Sequence, residues 1–296
     1  MSTRTAIKTI LKDQQLAPKK RFGQNFLVNE HVVEAILDRA APGQEDTIVE
    51  FGVGLGSLTI PLARRVKRVI GIEIDSGIVH WHEEQGTLPA NVTLIHEDLL
   101  QTDLGRLAAE SGGPLKIIAN LPYSISNPVL FRLLENKEHV ASAVLMLQKE
   151  VADRLSARPY TKEYGVLSVL LGACATIEPL IKIGPDHFHP RPKVDSMVIR
   201  ITFHSGAGAS ESGYSPALLK SLVKAAFQQR RKTIVNALAG VTIHTSKAGQ
   251  SSPDIKERIH SYLQRAGIAV TRRPDQISVQ EYIALARAYA KGDGDA

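Results

Sequence analysis

The sequence of 296 residues contains a single cysteine, a single tryptophan and few aromatic residues, which make up 5% of the chain. The lone Cys174 excludes an intramolecular disulfide framework, as expected in a reducing, cytoplasmic compartment. No stretch approaches the roughly 18 apolar residues that a membrane-spanning helix needs. Residues 1–15 lack the apolar core of a secretory signal, and Asp13 argues against an organelle transit peptide. We therefore expect a cytoplasmic protein without a membrane segment.

Basic residues exceed acidic ones, giving a formal net charge of +6, and they are concentrated in two clusters. Residues 1–21 carry six Lys or Arg and one Asp, and residues 220–232 carry five basic residues and no acid. Either cluster alone is typical of a solvated surface, but two of them indicate a polyphosphate partner such as a nucleic acid. The candidates for phosphate contacts are Lys19, Lys20, Arg21, Arg230, Arg231 and Lys232.

Between about residues 47 and 203, short β-rich runs alternate with helical stretches. This alternation predicts a Rossmann-like α/β fold, with a mostly parallel sheet covered by helices on both faces. Five runs are predicted to be parallel strands, and two more to close the sheet as an antiparallel edge pair. The parallel strands are 47–51, 69–74, 92–96, 115–119 and 143–147, and the edge strands are 176–183 and 196–203.

Small and polar residues at 206–213 predict a linker, beyond which the pattern becomes helical. The predicted helices are 216–226 with a continuation through 236, then 254–266 and 279–290. The chain is therefore divided into a flexible basic arm at 1–18, an α/β catalytic domain at 19–205, the linker, and a small α-helical domain at 214–296.

The first predicted strand runs into a glycine-rich turn, Glu50-Phe51-Gly52-Val53-Gly54-Leu55-Gly56. Gly52 and Gly54 allow the backbone to approach a ligand closely, because no Cβ intervenes. Glu73 ends the next strand, where an acid can accept hydrogen bonds from both hydroxyls of a ribose. A dinucleotide fingerprint needs glycine at position 57, which is Ser57, so the turn fits a nucleoside without pyrophosphate. A purely structural turn is the alternative.

Asp98 follows the third strand at the same edge of the sheet, where open α/β folds bind their ligands. It can accept a hydrogen bond from an adenine amine, and a helix N-cap is an equally weighted alternative. Glu73 for the ribose, Asp98 for the base and the glycine-rich turn beneath them together favour S-adenosylmethionine.

The fourth strand ends in Asn120-Leu121-Pro122-Tyr123. The amide oxygen of Asn120 and the carbonyl of Leu121 can both accept hydrogen bonds from an exocyclic amine. Pro122 fixes the backbone, and Tyr123 offers a ring on which a base can stack. A pocket for an extruded base requires these groups, whereas the alternative is a capped turn with a half-buried tyrosine.

Asn-Leu-Pro-Tyr matches the N-[LIV]-P-Y motif of adenine-amine methyltransferases, and the whole chain resembles the ribosomal RNA adenine dimethyltransferases of the bacterial KsgA type. The resemblance runs from about residue 19 to 286 and is far more specific than any single motif. The stretches that carry it are 20–27, 146–151, 164–169, 188–196 and 226–232.

This resemblance implies an S-adenosylmethionine-dependent methyltransferase sheet, a C-terminal RNA-binding domain and no metal. It implies transfer to two adjacent adenosines in the 3'-terminal hairpin loop of small-subunit (16S) ribosomal RNA, within the immature subunit, by a monomer. The target base would meet Asn120 and Tyr123, with Phe188 as a second stacking ring. The implied cofactor residues are Asn25, Leu27, Gly52, Glu73, Asp98 and Asn120, with Gly54 added from the turn.

Two rival functions use the same scaffold. One is a resistance-type methyltransferase that acts on large-subunit ribosomal RNA, and segments 188–196 and 227–232 favour the small-subunit enzyme over it. The other is a non-catalytic RNA-binding assembly or transcription factor. Glu73, Asp98 and Asn120 argue against that function, because degraded cofactor residues would be its signature.

Overall fold

The computed structural model describes residues 23–204, 213–239 and 252–292. The basic arm at 1–18, the candidates Lys19, Lys20 and Arg21, and most of the predicted linker lie outside these ranges. The chain divides into two compact units, Met1–Ala152 with Thr176–Phe203, and Asp153–Ala175 with His204–Ala296.

The first unit is built on strands and short helices that alternate along the chain. Its elements in order are β1 Phe26–Leu27, α1 Glu30–Ala40, β2 Thr47–Phe51, α2 Thr59–Ala63, β3 Arg68–Glu73, α3 Ser76–Gln85, β4 Val92–His96, α4 Leu104–Glu110, β5 Leu115–Asn120, α5 Ser126–Glu135 and β6 Val140–Gln148. Helix α6, Lys149–Leu155, crosses the boundary between the units, and β7 Ala175–Ile183, β8 Phe188–His189 and β9 Ser196–Phe203 complete the list.

Seven of these strands form one sheet in the order β4-β3-β2-β5-β6-β9-β7. The pairs β4-β3, β3-β2, β2-β5 and β5-β6 are parallel, and β9 runs antiparallel to β6. In β2, Ile48, Val49 and Phe51 are all at most 1% exposed, as expected of a strand covered on both faces. The predicted Rossmann-like sheet is confirmed.

Strands β1 and β8 form a separate antiparallel pair, in which Leu27 is opposite Phe188. Sequence periodicity did not predict this pair, because each strand has only two residues. The pair buries Leu27 and Phe188 in the main hydrophobic core of the unit, together with residues of α1 and β2 such as Leu37 and Ile48.

The second unit is helical in its described part, with α7 Val166–Gly172, α8 Pro216–Gln228, α9 Ile234–Ala239, α10 Ser252–Arg265 and α11 Val279–Lys291. The predicted continuation of α8 through residue 236 is wrong. The helix ends at Gln228 and a new one begins at Ile234, whose N–H donates to the carbonyl of Arg272 at 2.7 Å instead of continuing the helical ladder. In the described ranges, no helix combines the length and apolar character needed to cross a membrane.

Residues 153–175 pack with the C-terminal helices, whereas the sequence placed them in the α/β domain. An aromatic core explains the difference. The ring of Phe227 lies 6.1 Å from that of Tyr164 and 6.2 Å from that of Tyr282, measured between centroids. The Tyr164 hydroxyl also donates to the carbonyl of Ile277 at 2.9 Å. Segment 153–175 therefore belongs to the second unit by packing.

Candidate active site

A cavity of about 190 Å³ opens at the carboxyl ends of the parallel strands in the first unit. Residues that end or follow four neighbouring strands, β2 to β5, meet there, because parallel strands bring their carboxyl ends to one edge. All seven cofactor residues predicted from the sequence line this cavity, and so do Leu121 and Pro122. The seven are Asn25, Leu27, Gly52, Gly54, Glu73, Asp98 and Asn120.

The glycine-rich turn forms the floor of the cavity and adopts backbone conformations that favour glycine. Gly52 and Gly54 have φ angles of 81° and 52°, in the left-handed region. A Cβ at Gly54 would lie 3.2 Å from the ring of Phe26, which lines the cavity, so a side chain there would crowd this ring. The turn therefore forms a cradle of bare backbone at the cavity.

Glu73 supports the turn from beneath and is only 5% exposed. Its Oε2 accepts a hydrogen bond from the Gly54 N–H and its Oε1 from the Asp75 N–H, both at 2.9 Å. Burial raises the pKa of Glu73, while these two backbone hydrogen bonds oppose the shift. Each carboxylate oxygen has a second lone pair, so the residue can hold the turn and still accept hydrogen bonds from ribose hydroxyls.

Glu50 also lines the cavity, although no role beyond the turn motif was predicted for it. It is 1% exposed, and its Oε2 has no hydrogen-bond partner in the described part of the chain. Burial raises the pKa of Glu50 to about 8, and the negative charge of Glu73 adds to the effect. This orphaned oxygen can accept a hydrogen bond from a ligand, and a positively charged ligand in the cavity would favour the ionised form of Glu50.

His82 is a second residue that sequence reasoning missed, since no motif spacing marks it. It lies in α3 and is 3% exposed. Its Nε2 lies 2.7 Å from the carbonyl oxygen of Gly54, and its Nδ1 contacts the Thr87 hydroxyl. Because a carbonyl only accepts, Nε2 carries the proton and donates to it. Both backbone polar groups of Gly54 are thus held, the N–H by Glu73 and the carbonyl by His82.

Asp98 follows β4 and stabilises its own turn while it faces the cavity. Its Oδ1 accepts from the Leu100 N–H at 2.9 Å, and its backbone carbonyl accepts from Thr102 at 3.0 Å. The helix N-cap alternative is wrong, because residues 99–102 form a turn and Asp103 caps the helix α4 that follows. No described residue forms a hydrogen bond with Oδ2, so this oxygen is available for the predicted bond to a base amine.

The Asn120 side chain is oriented by a contact with the segment before β1. Its Nδ2 donates to the carbonyl of Asn25 at 3.0 Å, which directs the amide so that Oδ1 has no partner among the described residues. Pro122 follows in an extended conformation, with φ −55° and ψ 131°. The strand end thus presents an oriented acceptor at the cavity.

Tyr123 begins a short 3-10 turn, Tyr123–Ile125, and is half-buried outside the cavity lining. Its hydroxyl lies 2.7 Å from the Ser196 hydroxyl, and burial raises its pKa. Phe188 is only 1% exposed and does not line the cavity, because the β1-β8 pair buries it. The prediction that Phe188 stacks on the target base therefore does not agree with this structure.

The candidate phosphate contacts in the second unit differ from one another. Arg230 uses all its guanidinium nitrogens internally: Nε donates to Asp275 at 3.3 Å, and the terminal nitrogens donate to the carbonyls of Lys162 at 2.7 Å and Thr161 at 2.8 Å. Its place is structural, contrary to the prediction that it contacts RNA. Arg231 and Lys232 are exposed. Within the described part of the chain, no cluster of metal-ligating side chains is found.

The sheet order, the glycine-rich turn and the acids at the strand ends define the class: this is a Rossmann-like methyltransferase fold. Two solved structures share it. A dimethyladenosine transferase from Plasmodium falciparum superposes with a TM-score of 0.69 at 23% identity, covering 88% of this chain and 95% of that one. The 23S rRNA methyltransferase ErmE superposes with a TM-score of 0.62 at 22% identity, covering 89% and 98%.

Sequence comparison gives the family. Residues 16–261 match the model for ribosomal RNA adenine dimethylase. A ribosomal RNA small subunit methyltransferase A of Desulfotalea psychrophila is 47% identical, over 98% of this chain and 97% of its own. A protein of the same description from Syntrophus aciditrophicus is 39% identical, over 95% and 97%. The chain belongs to the ribosomal RNA adenine dimethylase family.

Proposed function

We propose that the protein transfers methyl groups from S-adenosylmethionine to the exocyclic amines of two adjacent adenosines in the 3'-terminal hairpin loop of small-subunit (16S) ribosomal RNA. The observation that carries this proposal is the oriented amide of Asn120 at the mouth of a nucleoside-sized cavity. The descriptions of the relatives as small-subunit methyltransferases support the choice of RNA. The substrate would be the immature small subunit in the cytoplasm, and the enzyme would act as a monomer.

The residues that line the cavity fit S-adenosylmethionine. The glycine cradle leaves room for the nucleoside, Glu73 can accept from the ribose, and Asp98 from the adenine amine. The orphaned oxygen of Glu50 would face the positive charge of the methionine part. When bound, the cofactor supplies an electrophilic methyl group on a sulfonium, and this chemistry requires no metal ion.

Asn120 and Leu121 act on the target amine. The lone pair of that nitrogen is delocalised into the adenine ring, so it is a poor nucleophile. Hydrogen bonds from the amine protons to Asn120 Oδ1 and the Leu121 carbonyl favour tetrahedral geometry and localise the lone pair. The protein then mainly aligns nitrogen, carbon and sulfur. The proton leaves to water after transfer, when the nitrogen has become acidic, so no dedicated base is needed.

Two methyl transfers to one amine require a site that also accepts the monomethylated base. Stacking on Tyr123 would hold the ring without using both amine protons, and base stacking contributes about 1–3 kcal/mol. The hydroxyl contact with Ser196 would keep the Tyr123 ring in place. Phe188 would then act as support for β1, which carries Leu27 at the cavity, and would not contact the base itself.

The proposed function is tested by incubating the full-length protein and labelled S-adenosylmethionine with small ribosomal subunits that lack the mark, and in parallel with large subunits. Label in small-subunit RNA alone is the expected result. Label in large-subunit RNA would favour the resistance-type enzyme. Tight binding to the small subunit without any transfer would favour a non-catalytic assembly factor.

A further inference from the structure

Tyr160 combines two unusual features in the loop between α6 and α7. Its side chain is 70% exposed, the most exposed of the large hydrophobic residues in the described ranges. Its φ angle is +70°, in the left-handed region that tyrosine rarely adopts. Both features are energetically unfavourable in the free protein. Backbone outliers of this kind concentrate at functional sites, so we expect a function for this ring.

The loop is held in this conformation by contacts within the second unit. The Tyr160 N–H donates to the Asp275 carbonyl at 2.8 Å. Arg230 donates to the carbonyls of Thr161 and Lys162, and the Thr161 hydroxyl donates to the Arg158 carbonyl at 2.7 Å. The ring is therefore presented from a rigid loop, so little freedom remains to be lost when a ligand binds.

Exposed cations lie on the Tyr160 loop and on the segments that bind this loop, and one acid, Glu163, shares the loop. Arg158 and Lys162 lie two residues on either side of Tyr160. Arg231 and Lys232 follow the arginine that binds the loop, and Arg273 lies two residues before the aspartate that fixes Tyr160. None of these five cations forms an ion pair with another described residue. We define the Tyr160 surface as Arg158, Tyr160, Lys162, Arg231, Lys232 and Arg273.

We propose that the Tyr160 surface binds single-stranded RNA, with one unpaired base stacked on the Tyr160 ring and the neighbouring phosphates paired with the surrounding cations. An exposed ring among cations is the arrangement that binds single-stranded nucleic acid, since every base has a face that stacks. This inference rests on the proposed function in one respect, that the partner is ribosomal RNA. It adds a contact separate from the residues predicted for the target base.

Three variants of the full-length protein separate the contributions of the Tyr160 ring, its hydroxyl and a neighbouring charge to RNA binding from effects on folding. Tyr160→Gly removes the ring and also relieves the left-handed backbone, so the folded state should not be weakened. Tyr160→Phe keeps the ring and removes the hydroxyl. Lys162→Ala removes one charge and keeps the ring. Binding to unmethylated small subunits and to a short single-stranded oligoribonucleotide is measured over a series of salt concentrations, together with S-adenosylmethionine affinity and thermal unfolding.

Tyr160→Gly is expected to bind both RNA probes about 5- to 150-fold more weakly, the range that the loss of one stacked base implies. Its salt dependence should stay that of the wild type, whereas Lys162→Ala should lower the slope by about one phosphate contact. Tyr160→Phe should bind as the wild type does, and cofactor affinity should be unchanged in all three. Ultraviolet cross-linking of the oligoribonucleotide should yield an adduct at Tyr160.

Wild-type RNA affinity in Tyr160→Gly would overturn the inference, and so would equal losses in the Gly and Phe variants, because the hydroxyl would then carry the effect. These results differ from a failure of the proposed function. In that case the wild type itself would fail to methylate small-subunit RNA, whatever the Tyr160 variants bind.

Discussion

Replacing His82 with leucine tests whether the imidazole holds the glycine-rich turn in its ligand-binding conformation. Leucine has a similar volume, so the change leaves little cavity in the core around α3. It removes the donor that reaches the Gly54 carbonyl at 2.7 Å. The partly exposed Thr87 hydroxyl can bind water instead, so the Gly54 carbonyl bears most of the loss.

The size of the effect follows from that one hydrogen bond. Leaving a partly buried carbonyl without its donor costs about 1–2 kcal/mol. In His82→Leu the glycine-rich turn should relax when no ligand is bound, and the cofactor must then reorder it. The free energy of this reordering reduces the binding free energy, so cofactor binding should be roughly 5- to 30-fold weaker. His82→Gln keeps a donor of similar reach and should recover most of the affinity. Thr87→Val keeps Nε2 on Gly54 and should bind within about twofold of the wild type.

Isothermal titration of the purified variants with S-adenosylmethionine at pH 8, alongside thermal unfolding, measures this effect. RNA affinity provides the internal control and should not change. Cofactor affinity within twofold of the wild type in His82→Leu, together with a lower melting temperature, would refute the reasoning, because His82 would then support the fold alone.

Burial lowers the pKa of His82 from its ordinary value of 6.5, although the bond to Gly54 opposes this shift. Below pH 6.5 the unfolded chain binds a proton that the folded protein does not take up, so stability falls as the pH falls. This contribution is fully present above pH 6.5. The His82→Leu variant should lose it, which unfolding measurements between pH 5 and 8 in ~0.5-unit steps would show as a shallower pH dependence.

The remaining predictions concern Glu50 and the two arginines. Burial raises the pKa of Glu50 from 4.5 in the unfolded chain to about 8 in the folded protein. The stability that the protonated carboxyl contributes is therefore fully present below pH 4.5 and is lost as the pH rises towards 8. Glu50→Gln should therefore raise the melting temperature most at pH 8, and parallel curves for both proteins would contradict this. Arg230→Gln should cost about 2 kcal/mol of stability, since three hydrogen bonds are lost. Arg231→Gln should leave the melting temperature unchanged and weaken RNA binding. An unchanged melting temperature together with weaker RNA binding in Arg230→Gln would restore the sequence-based assignment of Arg230 to RNA.

Much of the fold follows directly from the sequence. Strands β4 and β9 have the predicted bounds, 92–96 and 196–203, because each is a β-rich run bounded by turn residues. Residues at the carboxyl ends of neighbouring parallel strands must meet at one edge, so Gly52, Glu73 and Asn120 line one cavity as expected. Hydrophobic periodicity and the alternation of strands and helices therefore predict the sheet and the position of the cavity without any knowledge of distant contacts.

Other features depend on residues that are far apart in the chain. Phe188 is buried because it pairs with Leu27, and no local sequence pattern predicts a strand of two residues. Arg230 belongs to a basic cluster in the sequence, but its hydrogen-bond partners are residues 161 and 162 and Asp275. The role of His82 depends on a helix packing beside the turn. Side-chain partners of this kind come from tertiary packing, which single-sequence patterns do not encode.

The central claim is that Asn120 orients and activates the adenine amine at the cavity. The most direct test compares the wild type with Asn120→Ala on unmethylated small subunits, using mass spectrometry of the digested RNA and a parallel titration with S-adenosylmethionine. We expect the wild type to form dimethyladenosine at two adjacent positions. Transfer by Asn120→Ala should be at least about 100-fold slower, which corresponds to roughly 3 kcal/mol of transition-state stabilisation. The cofactor affinity of the variant should stay within a few-fold of the wild-type value. Dimethyladenosine formed by Asn120→Ala at the wild-type rate would contradict the account.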